Sequence, residues 1–267
     1  MSEHYSHQPI YAQAALYDLA FSYRNIEAET QFLLDCYQRV TGRQPQRVLE
    51  LAAGPARHAL ECSRRGFQSA ALDISPEMMA YAHQLATEAD LALETLVADM
   101  RDFSLPQPAD LAFTLLDSTA YLLTAQDFMQ HLQAVARNLN PDGLYILEMT
   151  HPADIFERNQ RVQTDWEMER GALRLEISWG DPDDFFDPVS QITDCSVSLK
   201  ARGPEGKVNL RTCAPQRSYT YQEVQALLAA QSDFVFWQSY GAFDQTFGVD
   251  DERAWRMIMA LQKKTKA

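Results

Sequence analysis

Apolar and polar positions change their period along the chain, and the changes mark its elements. Leu16, Leu19 and Ala20, then Phe32, Leu33, Tyr37 and Val40, recur at helical spacing through the first forty residues, until Thr41-Gly42-Arg43-Gln44-Pro45 breaks the pattern. Arg47-Val48-Leu49-Glu50-Leu51-Ala52 is a short apolar run of the kind a buried strand needs. It turns at Ala53-Gly54-Pro55 into a helical stretch containing His58-Ala59-Leu60-Glu61-Cys62. A second strand, Gln68–Asp73, leads into Ser75-Pro76-Glu77, which offers an N-cap serine and a proline at the first helical position. Further strands are predicted at Leu93–Asp99, Ala109–Leu116 and Leu144–Met149. A helix from Ala125 to Leu139 and the breaker-rich turn Asn140-Pro141-Asp142-Gly143 precede the last of these.

Strands alternating with helices of this length imply parallel pairing in a doubly wound sheet. From about Phe156 to Arg217 the helical period is lost. Runs such as Leu173–Trp179 and Thr193–Leu199 alternate between Pro, Gly and Asp, so antiparallel strands are expected there as an insert. A helix near Thr220–Ala230 and strands at Phe234–Trp237 and Trp255–Met259 resume the main pattern. The expected fold is α/β: a Rossmann-like seven-stranded, mostly parallel sheet with helices on both faces and an antiparallel β insert. The divisions are 1–45 (an N-terminal helical lid), 46–154 (the core), 155–218 (the insert, a cover for an acceptor) and 219–267 (completion of the core).

Composition narrows the function. The 267 residues carry 37 acidic against 23 basic side chains, net −14. That balance disfavours a nucleic-acid partner, whose affinity comes from Lys and Arg neutralising phosphates. The basic run Lys263-Lys264-Thr265-Lys266 reads as a solvated chain end. No apolar stretch is long enough to span a membrane, and Met1-Ser2-Glu3-His4-Tyr5 lacks the features of a signal peptide. Cys36, Cys62, Cys195 and Cys213 are scattered, as expected of reduced thiols in the cytoplasm. His4, His7, His83 and His131 show no metal-ligand spacing, so no metal is expected.

The candidate chemistry lies at the strand ends. Glu50-Leu51-Ala52-Ala53-Gly54-Pro55-Ala56-Arg57-His58 occupies the first strand-to-helix turn, where open parallel sheets bind ligands. Asp73, nineteen residues after Gly54, ends the second strand, where a carboxylate can accept from ribose hydroxyls, and Asp99 ends the third. Three strand-end carboxylates would repel a pyrophosphate. They suit a ligand with a ribose, an amino group and a positive centre. An NAD-linked oxidoreductase would need Gly-x-Gly-x-x-Gly, which Gly54-Pro55-Ala56 does not supply.

These residues, with Leu72-Asp73-Ile74-Ser75-Pro76-Glu77-Met78, Ala98-Asp99-Met100-Arg101-Asp102-Phe103 and Leu139–Gly143, resemble the class I S-adenosylmethionine-dependent methyltransferases over nearly the whole chain. Tyr17-Asp18-Leu19-Ala20-Phe21, Ser118–Leu122 and the insert are similar, more narrowly, to small-molecule N-methyltransferases of glycine and amino sugars. The resemblance implies S-adenosylmethionine as cofactor, with S-adenosylhomocysteine as product. It also implies that Glu50 faces the methionine amino group and that Ala52 and Gly54 give backbone contacts. Asp73 then holds the ribose diol, with Ile74 and Met78 flanking adenine. Asp99 accepts from the adenine amine beside Met100, and the backbone at Leu116 faces the methionine. The alanines at 52 and 56 depart from the family's glycines.

Tyr17 is implied beside the sulfonium, where an aromatic face favours a cation. His151 and Asp117 are candidates for a base toward an acceptor proton, as is Tyr121, although a strand-end histidine bonded to backbone is an equally good reading of His151. His58 reads as a structural contact. Trp166, Trp179, Phe185 and Phe186 read as the core of the insert rather than as an acceptor pocket, and Asp181, Asp183, Asp184 and Asp187 as a solvated loop. The expected activity is methyl transfer to a small acceptor, on nitrogen or oxygen. The competing reading is a module that binds this cofactor without catalysis.

Overall fold

The computed structural model describes residues 9–156, 163–204, 206–230 and 233–265. His4, His7, Lys266 and the Met1–Tyr5 segment lie outside them. Strands β1 (Arg47–Leu51), β2 (Gln68–Asp73), β3 (Glu94–Val97), β4 (Ala109–Thr114), β5 (Leu139–Thr150), β11 (Phe234–Tyr240) and β12 (Arg256–Lys263) form one sheet, in the order β11-β12-β5-β4-β1-β2-β3. Only β12 runs against the others in this sheet. Strand order reverses at β1, between its neighbours β2 and β4, so the sheet's switch point lies outside the carboxyl ends of β1 and β4.

The strands are apolar on both faces, as a sheet covered twice must be. Leu49, Leu51, Tyr145 and Leu147 pack with helices α5 (Ala125–Arg137) and α7 (Tyr221–Ala230). Val48, Leu144 and Ile146 point the other way and pack with Phe32, Leu33 and Tyr37 of α2 (Ile26–Thr41). Two further helices, α3 (Arg57–Arg64) and α4 (Pro76–Glu88), meet Ala71 through Ala59, Met79 and Ala82. Ser75 caps α4 as expected, its hydroxyl accepting the Met78 N–H at 3.2 Å.

Between α6 (Pro152–Phe156) and α7 comes the insert: β6 (Thr164–Arg170), β7 (Leu173–Trp179), β8 (Phe186–Asp187), β9 (Ile192–Gly203) and β10 (Gly206–Arg217), all paired antiparallel. Its apolar face, with Leu175, Ile177, Val197 and Leu199, packs against Leu19 and Ala20 of helix α1 (Ala14–Ala20). Trp166 and Trp179 lie at 5.6 and 6.0 Å from the Phe21 ring and join this layer, whereas Phe185 is exposed.

Several local expectations change. The first helical stretch is broken, because Asn25 caps a fresh helix by accepting the Ala28 N–H at 3.1 Å. Asn140–Gly143 does not end a strand. Leu139 pairs with Ala109 and Leu144 with Leu111, so the breakers bulge out of a continuous β5 opposite Asp110. Glycine is required there, since a Cβ at 143 would lie 2.9 Å from the Asn140 carbonyl. Strand β4 stops two residues early, because Leu116 and Asp117 turn to φ 54° and 55°. The basic tail is not merely solvated: Lys263 Nζ donates to the Leu139 carbonyl at 2.5 Å. The acidic run is not all loop either, because buried Asp184 accepts from the N–H groups of Asp181 at 2.9 Å and Ser196 at 2.8 Å.

Candidate active site

Two strained loops build the switch point. After β1, Ala52, Gly54 and Ala56 all take left-handed φ, at 49°, 51° and 55°. Only glycine does so without cost, so the two alanines store strain, as residues at ligand sites often do. The loop is strapped to β2: the Ala53 N–H donates to the Leu72 carbonyl at 2.9 Å, and the Gly54 N–H to Asp73 Oδ2 at 2.7 Å. The other oxygen of Asp73 accepts from the Ser75 N–H at 2.9 Å. Burial drives this carboxyl upward from the usual carboxylate range despite those backbone donors. After β4, the Leu116 N–H donates to Glu148 at 2.9 Å and Ser118–Tyr121 form one 3₁₀ turn.

Between these loops and α1 lies a cavity in two chambers. The first encloses about 100 Å³ among Tyr11, Asp73, Ile74, Met78, Asp99, Met100 and Arg101. The second encloses about 330 Å³ among Arg24, Glu50, Arg57, His58, Leu116 and Arg170. Tyr17, Ala52, Gly54 and Ser118 line both, so they mark the waist. All nine residues expected to bind the cofactor therefore face one cavity, with Tyr17 where its chambers meet.

The two other catalytic candidates lie elsewhere. Asp117 lines neither chamber. It is buried and accepts from Thr150 Oγ1 at 2.6 Å, and burial pushes its carboxyl up to about 6 against that hydrogen bond. His151 is also outside: Nε2 is 2.9 Å from the Val249 carbonyl and Nδ1 accepts from the Ala153 N–H at 3.2 Å. Both ring nitrogens are occupied by backbone, the bland reading of this histidine. Tyr121 does line the first chamber, and its hydroxyl is hydrogen-bonded to that of Tyr11.

The first chamber is walled by phenols and a neutralised ion pair. Tyr17 stacks on Phe21 at 4.7 Å and meets the Tyr11 ring at 5.5 Å. Burial pushes both tyrosines upward, so they stay neutral. Arg101 grips Asp99, with Nη2 to Oδ2 at 2.6 Å, and also Asp127 at 2.7 Å. His131 is burial-depressed to about 4 and hydrogen-bonded to the Met100 carbonyl at 2.9 Å, which fixes this wall as a neutral ring.

Below the second chamber runs a chain of buried charges that the sequence reading did not find. Arg256 Nε is 3.0 Å from Glu148, Glu148 is 3.1 Å from Arg24, Arg24 is 2.7 Å from Glu29, and Glu29 is 2.7 Å from His58. His58 Nδ1 lies 3.4 Å from Glu50, whose other oxygen accepts the Ala59 N–H at 2.8 Å. Burial works against a charge on His58, but Glu29 and Glu50 overrule it and raise its titration. His58 is thus a structural contact, as expected, and is seated on an expected cofactor residue. Arg24 Nη1 is buried and has no partner. A buried donor of this kind costs about 1–3 kcal/mol unless something accepts from it. The orphan is on a side chain that lines the cavity, so the residues fit a ligand carrying an anionic oxygen there.

Residues 48–143 match a family model described as a methyltransferase domain. A putative methyltransferase of Bacillus subtilis, YqeM, is 26% identical over 141 residues, 49% of this chain and 57% of its own length. A dTDP-3-amino-3,4,6-trideoxy-alpha-D-glucopyranose N,N-dimethyltransferase of Streptomyces venezuelae is 27% identical over 139 residues, 51% of this chain and 56% of its own. The chain thus spans little more than half the length of these curated relatives. A solved S-adenosylmethionine-dependent methyltransferase from Clostridium acetobutylicum superposes with a TM-score of 0.78 over 94% of this chain and 98% of that one, at 16% identity. No described helix is long and apolar enough to cross a membrane. Residues 48–143 form a methyltransferase domain, and the chain has the fold of the S-adenosylmethionine-dependent methyltransferases.

Proposed function

We propose that this protein transfers a methyl group from S-adenosylmethionine to a small-molecule acceptor, on nitrogen or oxygen, by in-line displacement. The observation that carries the reading is the pairing of two binding groups across one cavity. Asp73, anchored by backbone at the switch point, suits a ribose diol, and the orphaned Nη1 of Arg24 suits a carboxylate. Between them Glu50 takes an amino group, Ile74, Met78 and Met100 flank a purine, Asp99 accepts from its amine, and the backbone at Ala52, Gly54 and Leu116 borders the methionine. The cofactor supplies a methyl already activated on a sulfonium.

The protein's task is then orientation and exclusion of water, worth several kcal/mol when reactants are held in line. Tyr17 at the waist presents an aromatic face to positive charge, an interaction worth about 0.5–2 kcal/mol. Asp117, titrating at about 6 directly after Leu116, is the group suited to hold an acceptor proton near neutral pH. His151 would tie the end of β5 to Val249. The insert, whose sheet packs on α1, would cover the acceptor, and the amino-sugar relative makes an amine the first class to try. A reduced cytoplasmic setting fits the buried Cys36, Cys62 and Cys195, whose thiols are pushed up to about 12.

Calorimetric titration with S-adenosylmethionine, S-adenosylhomocysteine and NAD tests the cofactor. Mass spectrometry of small amines, acids and phenols incubated with protein and S-adenosylmethionine then tests turnover. Binding of the first two but not NAD, with one acceptor gaining a methyl, is expected. Binding without turnover of any acceptor would favour the non-catalytic module, and NAD binding alone would overturn the reading.

A further inference from the structure

Glu29 is a first-turn acid of α2, and nothing in its surroundings in the sequence sets it apart. In the fold it touches two groups that end in the cavity. Both of its oxygens lie within hydrogen-bond reach of Arg24 Nε, at 3.0 and 2.9 Å, and Oε2 is 2.7 Å from Arg24 Nη2. The same Oε2 is 2.7 Å from His58 Nε2. Gripping the Nε edge leaves Nη1 as the donor without a partner. Holding His58 by Nε2 turns Nδ1 to Glu50.

We infer that Glu29 is the positioning residue of an amino-acid clamp, setting Arg24 toward a carboxylate and, through His58, Glu50 toward an ammonium. The inference rests on the cofactor reading above. Its physical support is that one carboxylate fixes two side chains from different segments, so a zwitterion's two charges meet partners already spaced and oriented. Stability alone does not account for the arrangement. Buried charges pay heavy desolvation, and apolar replacements of similar volume often serve as well or better. Here the carboxylates of Glu29 and Glu148 sit on the Arg24 head while one of its donors is left unused beside a cavity. A purely structural network would have no reason to leave that donor unpaired.

The test compares S-adenosylhomocysteine, which carries the amino-acid moiety, with 5′-methylthioadenosine, which lacks it. Wild-type protein and Glu29→Gln are titrated calorimetrically with both, after circular dichroism confirms that each is folded. Glu29→Gln is expected to lose about tenfold or more in S-adenosylhomocysteine affinity, the scale of charge-assisted contacts knocked out of line. Its 5′-methylthioadenosine affinity should stay within about twofold, as for sites acting independently. Equal losses for both ligands, or no loss for either, overturn the clamp.

If Glu29→Gln does not fold, His58→Gln cuts only the arm to Glu50 and leaves Arg24 held by Glu29 and Glu148. Its loss should again be confined to S-adenosylhomocysteine, and a loss shared by both ligands overturns the inference. Wild-type protein that binds neither ligand would overturn the cofactor reading and the clamp with it. Wild-type binding with an unselective variant overturns the clamp alone.

Discussion

The backbone N–H of Gly54 donates to the Asp73 carboxylate at 2.7 Å, so the turn after β1 and the end of β2 form one rigid rim. This bond occupies one lone pair of Oδ2 and leaves others for a ligand. Asp73→Ala removes both the ribose partner and the strap. We expect S-adenosylhomocysteine affinity to fall about a hundredfold, from the loss of two hydrogen bonds to a charged group. Calorimetry reads this directly, and an unchanged affinity would refute the ribose assignment.

Ala52 and Ala56 share left-handed φ but not burial, so glycine should affect them differently. Ala52 is half-buried and Ala56 fully buried. Releasing an alanine from this region gains about 1 kcal/mol, and stripping a buried methyl costs about 0.8 kcal/mol. Ala52→Gly should therefore raise the melting temperature by about 2 °C, while Ala56→Gly should leave it nearly unchanged. Differential scanning calorimetry distinguishes the two, and equal shifts would mean that burial does not separate them.

Asp18 on α1 is buried and ion-paired through both oxygens with Arg57 on α3, and accepts from the Tyr81 hydroxyl at 3.1 Å. The two partners are unequal, with side chains 2% and 40% exposed. Arg57→Ala strands a buried carboxylate and should cost about 2–4 kcal/mol, whereas Asp18→Asn frees a guanidinium that water can reach and should cost about 1–2 kcal/mol. Urea denaturation gives the order, and the reverse order would refute it. Amide hydrogen exchange in α1 should quicken in both variants.

Asp117 carries a pH signature. Its folded carboxyl titrates at about 6 against an ordinary 3.8, so the native state binds its proton more tightly than the unfolded chain does. Its contribution to stability is complete below the ordinary value and is lost as pH rises through about 6. Asp117→Asn removes this proton and keeps an acceptor for Thr150. Relative to wild type the variant should gain up to about 3 kcal/mol between pH 4 and pH 7. Parallel denaturation curves across that range check the slope, and a flat difference would show that Asp117 is not buried as described.

Most of the fold was legible because its signals are local. Leu173–Trp179 alternates with period two and is β7 residue for residue, and Ser75-Pro76 announces α4 by its chemistry. Asp73 could be found because family spacing and strand-end logic coincide there. The Asn140–Gly143 breakers misled, since a bulge and a strand end share the same turn residues and only pairing across to β4 distinguishes them. Arg24, Glu29, His58 and Glu148 come from four segments, and their meeting leaves no mark on any one of them. Glu148 alone carried a clue: a carboxylate inside the apolar run Leu144–Met149 must be paired somewhere. The strand named the need and not the partners.

The placement of β12 has a consequence for how the chain is made. Residues 256–263 insert between β5 and β11, far behind β5 in order of synthesis. Until they emerge from the ribosome, a nascent chain that has already paired β1 with β4 presents β5 as an open edge, with Leu144, Ile146 and Leu147 uncovered and Glu148 lacking Arg256. An apolar edge of this kind recruits neighbouring chains. Translation that stalls before Arg256 should therefore yield a sticky intermediate, and the yield of soluble protein should depend on how quickly that last strand closes the gap.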